Sequence, residues 1–172
     1  MKQFHLTTPQ KNIWNLQKYY ENTAITNLCG AIFYKERRDD ELLRRAICCF
    51  IQKQSGIRLR FMEDGEPVQY VSDEIDENIP VMEFSSMEEL NCFAEEFARE
   101  PLEVWDAPMY RFVIICAEGR SGLLVVLSHL IADAWTFGLM ANQIEAAYYG
   151  LKDTGTSTLL EADYRNYIDF EH

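Results

Sequence analysis

One short segment carries side chains that could move a proton during a reaction. In Leu127-Ser128-His129-Leu130-Ile131-Ala132-Asp133-Ala134-Trp135, a histidine follows an apolar run and an aspartate comes four residues later. An uncharged imidazole takes a proton from an attacking amine or hydroxyl near neutral pH, and a nearby carboxylate can hold the surrounding loop in place. The segment therefore indicates acyl transfer, with His129 as the base.

Both side chains also have simpler interpretations. A single histidine after a strand is more often a core or loop residue than a catalyst. An aspartate directly before a helix is a preferred N-cap, whose carboxylate accepts hydrogen bonds from free backbone N–H groups. Capping is the favoured local role for Asp133, and it is compatible with an ion pair made by the other carboxylate oxygen.

The elements around this segment follow from the apolar pattern. Residues 109–116 and 123–128 are two apolar runs joined by Gly-containing residues, which predicts adjacent strands buried on both faces. The second strand delivers His129. A helix should then run from Ala134 or Trp135 to Tyr149, with Gly150 in the left-handed C-cap position.

The rest of the chain alternates irregularly between helices and strands. We predict a first helix capped by Thr8, a strand over 28–34, a helix containing residues 42–51, a hairpin of 57–61 with 68–71, a helix begun by the Ser86–Glu89 capping box and ended by Pro101, and a short helix over about 160–170. No regular strand–helix–strand alternation is present. The pattern predicts an α+β two-layer sandwich with helices packed on a mixed sheet.

Composition limits the classes of partner. With 172 residues, 48% of them hydrophobic, the chain can bury one core, and we expect one domain over 1–172. Five cysteines in no recognisable framework suggest reduced thiols and a cytoplasmic protein. No stretch approaches the roughly 20 apolar residues of a membrane helix. A formal charge of −12 argues against nucleic acid as a partner.

The segment SHLIADAW resembles the HHxxxDG signature of condensation domains of nonribosomal peptide synthetases and of the wider chloramphenicol acetyltransferase-like acyltransferases. His129 falls on the second, catalytic histidine and Asp133 on the aspartate, whereas Ser128 replaces the first histidine and Ala134 the glycine. The first histidine is mainly supportive, and serine can still form a hydrogen bond. Alanine fits if the backbone there has negative φ.

Four further segments resemble condensation-domain motifs, in the family's order. They are LTTPQKNIW at 6–14, IRLRFMEDGEPVQ at 57–69, PLEVWDAPMYR at 101–111 and ADYRNY at 162–167. The last resembles the motif that closes the first of two lobes. The resemblance thus covers nearly the whole chain and implies an amino-terminal lobe with the chloramphenicol acetyltransferase-like fold.

The resemblance also implies a reaction and its participants. The donor acyl group would arrive as a thioester on the phosphopantetheine of a carrier protein, and an amine would attack it to form an amide, with no metal and no directly bound cofactor. His129 would deprotonate or align the amine. Arg58, at the position of the family's second-motif arginine, would form an ion pair with Asp133 and fix the loop. Expected partners are the second lobe and peptidyl or acyl carrier proteins.

Two other functions remain open. One is an acyltransferase of the same superfamily that uses a CoA thioester and no carrier protein. The other is a non-catalytic docking or recruitment module, for which Ser128 and Ala134 are the hints. In every case we expect an apolar surface that faces the second lobe and lets the chain self-associate, and we expect Trp135 to pack in the core.

Overall fold

The fold is known from a computed structural model, which describes residues 2–171 and, within them, all side chains except those of Asp64, Asp169, Phe170 and Glu171. The strands are β1 (Phe4–His5), β2 (Asn27–Phe33), β3 (Leu59–Asp64), β4 (Glu66–Val71), β5 (Val81–Phe84), β6 (Tyr110–Ala117) and β7 (Arg120–Ser128). The helices are α1 (Thr8–Tyr19), α2 (Asp40–Lys53), α3 (Met87–Arg99), α4 (Ala134–Thr154) and α5 (Arg165–Glu171), with a 3-10 turn at Ser55–Arg58.

Two sheets organise these elements. The larger has the order β2-β7-β6-β5, in which β5 pairs with β6 in parallel and the other pairs are antiparallel. The smaller is antiparallel, with the order β1-β4-β3. The prediction of an α+β fold with a mixed sheet is confirmed.

Helices cover both faces of the larger sheet. One face, with Ile114, Leu123 and Val125, packs against α2 and α4. The other, with Leu124 and Val126, packs against α3. This explains why β6 and β7 are apolar at nearly every position, as the sequence predicted. The sequence predicted two layers, one of helices and one of strands. In the structure α3 forms a third layer, on the face of the sheet opposite α2 and α4.

A third apolar cluster lies beside the loop that follows β7. Trp14 of α1, Phe61 of β3 and Leu130 belong to it. The smaller sheet and α1 are therefore packed directly against the loop that carries His129.

Several element ends differ from the sequence prediction. Thr7, not Thr8, caps α1, because its side chain accepts from the Gln10 N–H while the Gln10 side chain accepts from the Thr7 N–H. Only a cap at Thr7 places a glutamine at the third helical position, which a capping box needs. The α4 helix continues past Tyr149 to Thr154, and Gly155, with φ 76°, takes the left-handed cap that was assigned to Gly150.

The carboxyl-terminal helix is shorter than predicted. It begins at Arg165 rather than near residue 160. The reason is tertiary: Ala162 exchanges backbone hydrogen bonds with Ser55 and Lys53, which holds this stretch extended. All five cysteines are free thiols, and Cys29 and Cys92 are exposed. In residues 2–171, none of the helices combines the length and the hydropathy needed to cross a bilayer.

Candidate active site

Strand β7, an inner strand of the larger sheet, ends at Ser128 and is followed directly by His129. The His129 N–H donates to the carbonyl oxygen of Thr26, which immediately precedes β2, at 2.8 Å. The Ser128 N–H donates to the Met109 carbonyl oxygen at 2.9 Å. The backbone of Ser128 and His129 is thus bonded to the residues that immediately precede the two strands flanking β7, while His129 itself is exposed.

The imidazole is held in one orientation by the chain that follows it. Its Nδ1 lies 2.7 Å from the carbonyl oxygen of Ala132. A carbonyl oxygen only accepts hydrogen bonds, so this contact places a proton on Nδ1 and, in the neutral imidazole, leaves the lone pair on Nε2. An exposed imidazole with a free Nε2 lone pair is equipped to accept a proton from a substrate.

Ser128 supports the turn from inside. Its side chain is fully buried, and its Oγ accepts from the Leu130 N–H at 3.2 Å. Its carbonyl oxygen accepts from the Ile131 N–H at 3.0 Å. The sequence prediction that serine could still form a hydrogen bond at this position is confirmed by that geometry, although its partner is the backbone of the loop.

Asp133 caps α4. One of its carboxylate oxygens accepts from the Thr136 N–H at 2.9 Å and from the Thr136 hydroxyl at 2.8 Å, and its own N–H donates back to that hydroxyl. The Thr136 N–H, then its hydroxyl, keep the pKa of Asp133 below its ordinary value, and proximity to His129 contributes in the same direction. Ala134 is the first helical residue and has negative φ, as alanine requires here.

Arg58 does not reach this carboxylate. Its guanidinium donates to the Ser72 carbonyl oxygen, and it lies 3.9 Å from the exposed carboxylate of Asp73. No ion pair joins Arg58 to Asp133 in the part of the chain that the structure describes. The predicted pair is therefore wrong: Arg58 ends the 3-10 turn before β3, and its side chain ties that turn to the residues after β4.

Trp135 is not a core residue, contrary to the prediction. It is 76% exposed, and Leu139, one turn later on α4, is 49% exposed. Other residues of α4 pack against the larger sheet, among them Met140 and Ile144. The exposed face of the first turns of α4 is apolar and lies directly beyond the histidine loop.

Sequence reasoning missed several residues that hold the loop. Gln10 donates to the Leu130 carbonyl oxygen at 3.2 Å, and Thr26 accepts from His129. The T-x-x-Q capping spacing identifies Gln10 as a helix-terminus residue, but its longer contact becomes visible only in the tertiary structure. A surface cavity of about 260 Å³ lies at the carboxyl-terminal half of α1, beside residues 102–105, and His129 is not among its lining residues.

Comparison with known proteins identifies the family. The sequence model of the condensation domain matches residues 1–172. The chain therefore belongs to the condensation-domain family, as its five ordered motifs predicted.

Relatives of known function are peptide synthetases. The chain is 29% identical over 157 residues to surfactin synthase subunit 1 of Bacillus subtilis (strain 168), which covers 86% of the chain and 4% of that protein. It is 25% identical over 163 residues to bacitracin synthase 3 of Bacillus licheniformis, covering 94% of the chain and 2% of that protein. The chain thus spans a small part of these relatives.

Solved structures have the same fold. The starter condensation domain of rhizomide synthetase superposes with a TM-score of 0.91 at 15% identity, covering 99% of this chain and 43% of that one. The first condensation domain of the calcium-dependent antibiotic synthetase gives 0.90 at 16% identity, with the same coverage of both chains. The chain corresponds to somewhat less than half of each domain.

Proposed function

We propose that this chain is the histidine-bearing lobe of a condensation domain that joins a carrier-bound acyl thioester to an amine. The observation that carries the proposal is the 2.7 Å contact between Nδ1 of His129 and the Ala132 carbonyl oxygen. That contact leaves Nε2 of this exposed residue as the base.

The reaction has two balanced steps. The amine nitrogen attacks the thioester carbonyl carbon, giving a tetrahedral oxyanion, and Nε2 of His129 accepts a proton from that nitrogen. The oxyanion then re-forms the carbonyl, the C–S bond breaks, and the thiolate takes a proton back from the imidazolium. The products are an amide and a free phosphopantetheine thiol, and neither step calls on a metal.

The loop contributes by keeping the base in place. Asp133 and Ser128 bind no substrate in this scheme: one caps α4, and the other holds the turn at Leu130. A base fixed before the substrate arrives avoids the cost of ordering it during the reaction. Because the similar relatives are synthases of surfactin and bacitracin, a donor on a carrier protein is favoured over a free CoA thioester. A cytoplasmic location is part of the same proposal.

The test replaces the base in the full-length protein. We expect His129→Ala and His129→Gln to lower the rate of amide formation by roughly a hundredfold to ten-thousandfold, the usual contribution of a general base. The amide is measured by mass spectrometry after the protein's own carrier domains are loaded with donor and acceptor. His5→Gln changes the exposed residue of β1, serves as the matched histidine control and should retain the parental rate.

Two results would count against the proposal. Amide formation that survives both His129 substitutions would remove the catalytic role of this histidine. A folded, fully loaded parental protein that forms no amide would favour the docking or recruitment alternative.

A further inference from the structure

Two buried glutamines form a reciprocal amide pair beside the histidine loop. Gln10, in the first turn of α1, is 5% exposed, and Gln69, in β4, is fully buried. The amide nitrogen of each donates to the amide oxygen of the other at 2.8 Å. Burying amide groups is costly unless they are hydrogen-bonded. The two side chains are therefore stable here only in the orientation in which both bonds form.

Backbone groups fix the orientation of both amides. The second hydrogen of the Gln10 nitrogen goes to the Leu130 carbonyl oxygen at 3.2 Å, and that of the Gln69 nitrogen goes to the His5 carbonyl oxygen at 2.9 Å. The Gln10 oxygen also accepts from the Thr7 N–H. All four amide hydrogens are used. If the Gln10 amide turned over, its oxygen would face the Leu130 carbonyl and the bond to the loop would be lost.

The α1 helix supports the loop at a second point. Gln17 lies two turns after Gln10 and is equally buried, at 5% exposed. Its amide oxygen accepts from the hydroxyl of Thr26, and the carbonyl oxygen of Thr26 accepts from the His129 N–H at 2.8 Å. The helix therefore reaches the loop directly at Leu130 and, through Thr26, at the backbone N–H of His129.

We propose that Gln10 is a positioning residue for His129, an inference that rests on the proposed function of that histidine. The imidazole is oriented by the Ala132 carbonyl, so the direction of Nε2 depends on the backbone from His129 to Ala132. The described contact that ties the Leu130 carbonyl in this stretch is the bond from Gln10. Loss of that bond allows the Ala132 carbonyl, and with it Nε2, to shift.

Two isosteric variants separate positioning from a general loss of stability. Gln10→Glu, as the carboxylate, has neither of the hydrogens that reach Leu130 and Gln69. Gln69→Glu, the matched control, also removes two buried donors and sets an oxygen against the Gln10 oxygen. It keeps an oxygen that accepts from the Gln10 nitrogen, and the Thr7 N–H still binds the Gln10 oxygen, so the Gln10 amide keeps its orientation and its bond to Leu130. Unfolding by denaturant measures how far each variant destabilises the protein. If Gln10→Glu fails to fold, Gln10→Met and Gln69→Met replace the two.

Two readouts are made on the full-length protein. The first is kcat and KM for amide formation, in which displacement of the base lowers kcat and leaves KM for the donor unchanged. The second is modification of His129 by diethyl pyrocarbonate, quantified by mass spectrometry, which needs no acyl transfer. While Nδ1 is bonded to Ala132, a single adduct forms at Nε2; once Nδ1 is released, a double adduct appears.

We expect Gln10→Glu to lower kcat by roughly 10- to 100-fold, the range that a displacement of about 1 Å can cause. We also expect Gln10→Glu to raise the fraction of His129 that is doubly modified. For Gln69→Glu, kcat and the doubly modified fraction should change only as far as its lower free energy of unfolding explains. Equal effects of the two variants, or a parental result for Gln10→Glu, would overturn the positioning role while leaving catalysis by His129 intact. If the parental protein transfers no acyl group yet the double adduct still depends on Gln10, the proposed function fails and the positioning stands.

Discussion

At the scale of single residues, the loop from Ser128 to Asp133 is tied down from three directions. The Thr26 carbonyl holds His129 from the β2 side, Gln10 holds Leu130 from α1, and Thr136 holds Asp133 from α4. A site held by its surroundings needs little rearrangement when substrate binds. Position 128 carries serine where the family signature has histidine. The loop still has a side-chain hydrogen bond there, because the Ser128 hydroxyl accepts from the Leu130 N–H.

The Asp133 cap predicts a pH-dependent contribution to stability. Hydrogen bonds from Thr136 lower the pKa of Asp133 in the folded state, so the cap stabilises the protein fully above the unfolded-state pKa of about 3.9. This contribution is lost as the pH falls through the folded-state pKa. Asp133→Ala should cost about 1 kcal/mol at pH 7. Asp133→Asn retains an acceptor that does not titrate, and its stability should approach that of the parent as the solution is acidified.

Denaturant unfolding at several pH values between 3 and 7 measures both differences. A constant difference between Asp133→Asn and the parent across this range would show that the capping carboxylate does not titrate differently on folding.

At the scale of elements, α4 lies close to β2 because β2 has a glycine where the helix crosses it. A Cβ added at Gly30 would lie 2.8 Å from Cε1 of the Phe137 ring and 2.9 Å from Cδ1. Phe137 packs against the apolar cluster formed by α2, α4 and the larger sheet. Since α4 begins at the Asp133 cap, this contact also sets where the histidine loop ends.

Gly30→Ala should therefore destabilise the protein by about 1 to 3 kcal/mol, the usual cost of overpacking a core. Gly30→Ala combined with Phe137→Leu should recover part of that loss, because the smaller side chain makes room for the methyl group. Gly138→Ala is the matched control. An added Cβ at Gly138 meets nothing within 4 Å, and alanine in a helix is favoured over glycine by about 1 kcal/mol, so this variant should be more stable than the parent.

The measurement is the free energy of unfolding of the parent, the two Gly30→Ala variants and Gly138→Ala. If Gly30→Ala were as stable as Gly138→Ala, the close approach of Phe137 would not constrain the position of α4.

At the scale of the whole molecule, one apolar face is left uncovered beside the site. Trp135 and, one turn later, Gly138 and Leu139 lie on the exposed side of α4, within ten residues of His129. Solved condensation domains extend well beyond the length that this chain matches. We propose that a second lobe covers this face, and we predict that residues 1–172 without such a cover associate with a second copy.

The chain comprising residues 1–172 should thus show a concentration-dependent mass in light scattering, which Trp135→Ser with Leu139→Ser should abolish. Leu160→Ser is the control, because Leu160 is 85% exposed but lies outside α4. A strictly monomeric parent at high concentration, or equal loss of association in the control, would contradict the assignment of this face.

Local pattern was sufficient for most elements, since apolar periodicity and capping residues act within a few residues of each other. It located the buried strands β6 and β7, the α3 helix and the Asp133 cap. It failed where a distant contact overrides local preference, as at Ala162, where backbone bonds to Ser55 and Lys53 displace the start of α5. The ion pair between Arg58 and Asp133 that the family resemblance implied is also not formed, because the reach of a long side chain depends on its surroundings.

The sequence by itself determined the family, the α+β class and the histidine that is proposed as the base, because these follow from motifs and apolar periods encoded along the chain. Only the tertiary structure decided what holds that histidine. The Ala132 carbonyl selects the imidazole tautomer, and Gln10 and Thr26 hold the loop from elements far away in sequence. Such hydrogen bonds depend on distances of a few tenths of an ångström between separately folded elements, and no local pattern specifies them.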